Sequence, residues 1–139
     1  MPAKPDKPRN GGEWTEARYR SFIISTLRRS SSRWGPRNEA KRDARQAEKF
    51  PNDRGRLVFH SKCRGCGAIV PETTASVDHI NPVIDPKVGF ENWSTYIERM
   101  YCEKDGFQVL CKPCHDAKTK EEREIATERK REERRRSSL

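Results

Sequence analysis

Cys63-Arg-Gly-Cys66-Gly67 and Cys111-Lys-Pro-Cys114-His115 decide how this sequence folds. Each holds two cysteines separated by two residues, and the glycines of the first permit the tight turn that aims two thiolates at one ion. The pairs stand 44 residues apart, more than the roughly 15–20 of a compact zinc ribbon, so a whole submotif lies between the knuckles. Four thiolates from Cys63, Cys66, Cys111 and Cys114 suit tetrahedral Zn²⁺ in a closed structural site. An iron–sulfur cluster is the weaker reading, because nothing nearby suggests redox work. Cys102 follows Met100 and Tyr101 and reads as a small buried hydrophobe rather than a ligand.

A metal answers a need visible in the composition. The chain has 139 residues, about one domain's worth. Hydrophobic residues make up 32% and charged ones 37%, so apolar burial alone supports only a small core. The apolar runs are far shorter than the roughly 20 residues a membrane span needs, and the N-terminal stretch lacks the apolar segment of a secretion signal. The expectation is a soluble, cytoplasmic protein without a membrane partner, in a compartment that keeps thiols reduced and available to metal.

The net charge of +9 is unevenly spread. Residues 1–49 carry 13 basic and 6 acidic side chains, residues 50–119 carry 9 of each, and residues 120–139 carry 8 and 6. A basic segment beside a neutral body suits a polyanion partner, since phosphate contacts supply most non-specific affinity. A merely solvated basic face is the equal alternative on composition alone. The C-terminal run EEREIATERKREERRR mixes both signs and reads as a solvent-exposed, fraying helix.

The expected organisation follows from local signals. Residues 1–13, rich in Pro and Gly, read as a disordered leader. Residues 14–50 read as a basic helical segment. Its first helix is capped by Thr15, with Tyr19, Phe22, Ile23, Thr26 and Leu27 on a core face and Arg18, Arg20, Arg28 and Arg29 opposite. Its second helix starts at Pro36 and ends near Pro51, with Trp34 anchoring the corner. Residues 51–124 hold the knuckles, with short strands at 57–59, 68–70, 75–80 and 107–110 and a helix over 92–102 whose aromatic stripe is core. Residues 125–139 form the charged helical tail.

Asp78 and His79 sit at the end of the third of these strands, and His115 opens the last helix. Each has a plain alternative: a strand-terminal Asp-His pair hydrogen-bonds the following turn, and a His at a helix start is solvated. If a metal draws Cys66 and Cys111 together, one carboxylate and two imidazoles converge. A carboxylate with an imidazole suits a hard or borderline divalent ion that keeps open positions for water and phosphate oxygens.

CRGCG, VDHINP and GFQVLCKPCHDAKT, in that order, resemble the HNH endonucleases, particularly small phage-type members with two CxxC knuckles. The resemblance spans about residues 57–124, and WTEARYRSFIISTLRRSSSRWGP is similar to the N-terminal helices of such proteins. It implies an α+β fold: a small zinc-stabilised ββα-metal (His-Me finger) core with flanking N-terminal helices and a charged C-terminal helix. It also implies a metal-dependent DNA endonuclease in which His79 is the general base and Asp78 and His115 hold catalytic Mg²⁺ or Mn²⁺. The four knuckle cysteines become the structural zinc site. Lys118, one turn beyond His115, reads equally as a phosphate contact or a plain surface lysine, and Glu121 and Glu122 as groups to bind the ion or orient water. Where the family commonly has Asn before the second knuckle, this chain has Gly106, which implies reduced activity; Asp105 and Asn92 are the nearest substitutes.

DNA is the expected partner, held through its phosphate backbone by Arg18, Arg20, Arg28, Arg29 and Lys118. The resemblance adds phage packaging proteins or a second copy of the chain as partners, and the host cytoplasm as the location if the chain is phage-encoded. Two other classes stand beside the nuclease. One is a zinc-stabilised DNA-binding or adaptor protein with weak or absent catalysis. The other is a zinc module that binds a protein through its charged C-terminal helix.

Overall fold

A computed structural model of the chain describes residues 6–139. It is an α+β protein whose contacts divide between Arg33 and Trp34. Of the expected 1–13 leader, residues 1–5 lie outside the described residues. Arg9 and Trp14 exchange backbone hydrogen bonds of 3.2 and 3.0 Å around a turn at Asn10, Gly11 and Gly12, all at positive φ.

The first unit is dominated by helix α1 (Glu16–Ser31). Thr15 Oγ1 accepts from the Arg18 amide at 3.2 Å, as its position before the apolar periodicity predicts. Glu16 in the first turn and Arg28 and Arg29 in the last oppose the helix dipole. The core face expected on this helix is a correction, because none of its residues is buried. Phe22 is 55% exposed and meets Trp14 at 5.1 Å between ring centroids, while Arg9 lies over the Tyr19 ring and pairs with Glu16.

The second unit opens with α2 (Gly35–Asp43), with Pro36 in its first turn. The helix stops eight residues short of Pro51, because the backbone beyond Asp43 is taken up as an extended partner of the first knuckle. Lys62 N donates to Ala44 O at 3.0 Å, Gln46 N donates to His60 O at 2.8 Å, and Arg45 bridges Ser61. Strand β1 (Phe50–Pro51) then pairs with β2 (Leu57–Val58). The 14–50 segment expected from sequence is therefore divided: α1 lies in one unit, and α2 belongs with the cysteines.

Strands β3 (His60–Lys62) and β4 (Ile69–Pro71) form the hairpin that carries Cys63 and Cys66. Strands β5 (Ser76–His79) and β6 (Phe107–Leu110) form the antiparallel pair that carries Asp78 and His79 and delivers Cys111. Between these strands runs helix α3 (Trp93–Met100), capped by Asn92, whose Oδ1 accepts from the Thr95 amide at 2.8 Å. Tyr96 and Met100 on its inner face are buried, while Trp93 and Tyr101 are half-buried and Ile97 is exposed, so the expected core stripe holds in part. Helix α4 (Lys112–Ser137) follows β6 directly, with Pro113 in its first turn.

The small core lies at the knuckles, where Cys63, Leu110 and Cys111 pack with Val70 and Cys114. Trp34 ties α2 to the turn after α3 by donating Nε1–H to Cys102 O at 2.7 Å and meeting Tyr101 edge-on at 5.6 Å. The tail of α4 is less free than its charge pattern predicts. Arg129, 17% exposed at its side chain, covers Gly89, whose φ of 86° holds the 85–89 turn, and a Cβ there would lie 2.5 Å from the guanidinium. No helix among the described residues is long and apolar enough to cross a membrane.

Candidate functional site

The cysteine cluster is built by turn geometry. Cys63 N donates to Ala68 O at 2.8 Å and Gly67 N to Cys63 O at 2.9 Å, while Gly67 takes φ 79° to close the knuckle. Arg64 N donates to Val109 O at 2.9 Å, which fastens the first knuckle to β6 beside the second. Gly65 leaves room at the site, since a Cβ there would crowd Cys114 Sγ at 3.2 Å.

The four sulfurs lie within 4.8 Å of one another, and Cys66 Sγ and Cys111 Sγ are 3.7 Å apart. Tetrahedral thiolates on zinc at about 2.3 Å place their sulfurs about 3.8 Å apart, so the spacing suits such an ion. The charges agree. Burial pushes the Cys63 thiol up, but backbone amides of Cys111, Cys66 and Gly65 outweigh it and bring it down to about 6. Cys114 is pushed up to about 12 by its sulfur neighbours Cys111, Cys63 and Cys66. One thiolate forms readily and the last is opposed by the others, so full deprotonation calls for a cation at the centre. The four cysteines are thus a site that could hold a structural metal such as zinc. Cys102 stands apart; burial pushes its thiol up, which suits an inert side chain.

Asp78, His79 and His115 do not form a comparable cluster. Among the described residues, the cysteines are the one group of three or more His, Cys, Asp or Glu side chains close enough to share an ion. The expected convergence of one carboxylate and two imidazoles is not among such groups, and β5 pairs with β6 so that Asp78 stands opposite Gln108 and His79 opposite Phe107. Successive strand residues project to opposite faces. Gln108 Nε2 donates to Asp78 Oδ2 at 3.0 Å. The His79 ring meets Phe107 at 4.8 Å and places Nε2 2.9 Å from Met100 O, at the end of α3.

Lys118, read from sequence as reaching outward to phosphate, is turned inward instead. Its Nζ lies 2.9 Å from Asp78 Oδ2 and 2.7 Å from Glu122 Oε1, and donates to His79 O at 2.9 Å. Burial lowers its pKa, but Glu122 and Asp78 outweigh that and hold it above the ordinary lysine value. His115 lies one turn earlier on α4, partly exposed, with Nδ1 4.0 Å from Asp116 Oδ1. The donors around Lys118 are hard oxygens, the chemistry Mg²⁺ or Mn²⁺ prefers, and an imidazole is available on the same helix.

Gly106 also has a local explanation. A Cβ there would lie 2.6 Å from Cys102 Sγ, and the backbone at Gly106 accepts from Ile80 N at 2.9 Å. Neither proposed substitute stands in for an Asn at this position: Asn92 is spent on capping α3, and Asp105 is exposed.

Of the basic residues read as DNA contacts, Arg18, Arg28 and Arg29 are exposed on α1, and Arg20 is half-buried. Sequence reasoning passed over Arg54 and Arg56, exposed at the tip of the β1–β2 hairpin. Asn52 Oδ1 stiffens that tip by accepting from the amides of both, at 2.9 and 3.0 Å. The Asn-Asp-Arg-Gly stretch after Phe50-Pro51 was the available signal. Arg45 by contrast is a structural cation, paired with both carboxylate oxygens of Glu72 at 2.9 and 3.1 Å over the Phe59 ring.

No protein-family model matches the chain, and no match is found among curated proteins or solved structures.

Proposed function

We propose that this protein is a metal-dependent DNA endonuclease of the HNH kind, with a ββα-metal core made by β5, β6 and α4 and pinned by zinc at the four cysteines. One observation carries the reading: Asp78-His79 on β5 is paired to the strand that runs through Cys111 into the helix bearing His115. Asp78 and His115 would hold Mg²⁺ or Mn²⁺, which when bound supplies Lewis-acid stabilisation of phosphate charge.

The chain's own contribution begins at His79. Met100 O can only accept, so the neutral ring carries its proton on Nε2 and keeps the Nδ1 lone pair to take the proton of a water. Phe107 packs against the ring and limits its rotation. Gln108 holds the Asp78 carboxylate through Oδ2. The exposed arginines of α1 and of the β1–β2 tip bind the phosphate backbone without reading sequence.

Supercoiled plasmid incubated with zinc-loaded protein in EDTA, Mg²⁺ and Mn²⁺ tests the proposal. Relaxation that requires added metal and disappears in His79→Ala supports it, and intact plasmid under every metal removes it. A second reading, a zinc-stabilised DNA-binding or adaptor protein, is favoured by the engagement of Asp78 with Lys118. It predicts salt-sensitive DNA binding with no cutting under any metal.

A further inference from the structure

The Asp78 carboxylate already has a cation. Lys118 Nζ stands 2.9 Å from Asp78 Oδ2, 2.7 Å from Glu122 Oε1 and 2.9 Å from the carbonyl oxygen of His79. Both carboxylates are thus ion-paired to one ammonium, Glu122 from the next turn of the same helix. The ammonium joins β5 to α4 at the strand end that carries Asp78 and His79.

We infer that Lys118 is an internal cation that competes with the divalent ion for Asp78 and Glu122, so that ion uptake requires the ammonium to leave. This rests on the reading of Asp78 as a metal ligand given under Proposed function. Two cations cannot share these oxygens at contact distance, because the site offers two negative charges and a partly dry surrounding in which their repulsion is weakly screened. Replacing one positive charge by two changes the local sum from −1 to neutral, which favours exchange when the divalent ion is abundant. The lysine stem is flexible, so the released ammonium can follow the phosphate of a bound nucleic acid. Lys118 thereby sets the affinity of the site for the ion and links ion entry to the arrival of an anionic substrate.

The experiment is Mn²⁺ binding to zinc-loaded protein, read by the electron paramagnetic resonance of free Mn²⁺, for wild type, Lys118→Met and Asp78→Asn. An opposite charge within a few ångströms changes a carboxylate's affinity for a proton by roughly 10–1000-fold, so Lys118→Met should bind Mn²⁺ at least about tenfold tighter than wild type. Asp78→Asn introduced together with Lys118→Met should remove the gain. Mn²⁺ affinity in Lys118→Met that is equal to wild type, or weaker, overturns the inference. A second measurement uses wild type alone and does not depend on the variant folding. With ¹⁵N-labelled lysine, the Lys118 ammonium resonance should shift and exchange faster with water as Mg²⁺ is added to high concentration; an unchanged resonance overturns the inference. Tighter Mn²⁺ binding without plasmid cutting would leave the inference standing and end the nuclease reading. Cutting with unchanged Mn²⁺ affinity would do the reverse.

Discussion

His79 Nε2 lies 2.9 Å from the carbonyl oxygen of Met100, which ties the end of β5 to the end of α3 across 21 residues of chain. A carbonyl has no proton to give, so this contact selects the Nε2–H tautomer. Long-range ¹H–¹⁵N spectra at neutral pH should show His79 protonated on Nε2. A neutral ring protonated on Nδ1 would turn the lone pair toward α3 and exclude it as the proposed base.

If His79 is that base, His79→Ala should lower metal-dependent cleavage by roughly 10²–10⁴-fold, while bound zinc and DNA affinity stay at the wild-type level. Zinc content, a DNA titration and plasmid cleavage measured on one preparation decide this. Cutting at the wild-type rate would place the base elsewhere.

The cysteine cluster predicts a zinc-dependent fold. The described core is centred on Cys63, Leu110 and Cys111, so chelating the metal should cost the second unit its cooperative melt. Zinc uptake must displace protons from the thiols that remain protonated, Cys114 above all, whose pKa is pushed up to about 12. Affinity therefore falls as pH falls, and most steeply once pH also drops through the Cys63 value of about 6. Gly65→Ala, which sets a methyl 3.2 Å from Cys114 Sγ, should weaken zinc binding without unfolding the zinc-loaded chain. Thermal melts with and without chelator check the first of these, and a zinc competition titration across pH checks the others.

Restoring the asparagine that the HNH resemblance expects at residue 106 should not by itself help. The new Cβ would meet Cys102 Sγ at 2.6 Å, so Gly106→Asn should destabilise the protein by about 1–3 kcal/mol through overpacking. Cys102→Ala combined with Gly106→Asn should recover most of that loss. Denaturant melts of the single and double variants show whether the cysteine is the obstacle, and an undiminished stability of Gly106→Asn alone would show that it is not.

Nucleic-acid affinity should depend separately on two sets of exposed arginines. Each phosphate contact contributes about 0.9 to the slope of log affinity against log salt on duplex DNA. Replacing Arg18, Arg28 and Arg29 together by Ala should flatten that slope, and so should replacing Arg54 and Arg56. Arg45→Ala should act otherwise: it breaks a partly buried pair with Glu72 and should cost about 1–2 kcal/mol of stability. Binding isotherms at several salt concentrations, with melting curves beside them, separate the two behaviours.

What could be read from the sequence shares one property: its cause lies within a few residues. Thr15 and Asn92 cap helices because their side chains reach amides three residues on. The strands at 76–79 and 107–110 follow their local patterns, and each CxxC spacing turns its own two sulfurs toward one point. The tertiary structure decided the rest. α2 ends at Asp43 because β3 offers its backbone to Ala44 and Gln46, partners more than a dozen residues away. No residue of α1 is fully buried, since periodicity shows which residues share a side but not how far anything covers them. Lys118 turns inward because the pairing of β5 with β6 and the path of α4 bring Asp78 and the His79 carbonyl beside Glu122. A residue's type and spacing set what it can bind, but which charge stands next to it is fixed only when distant strands and helices meet.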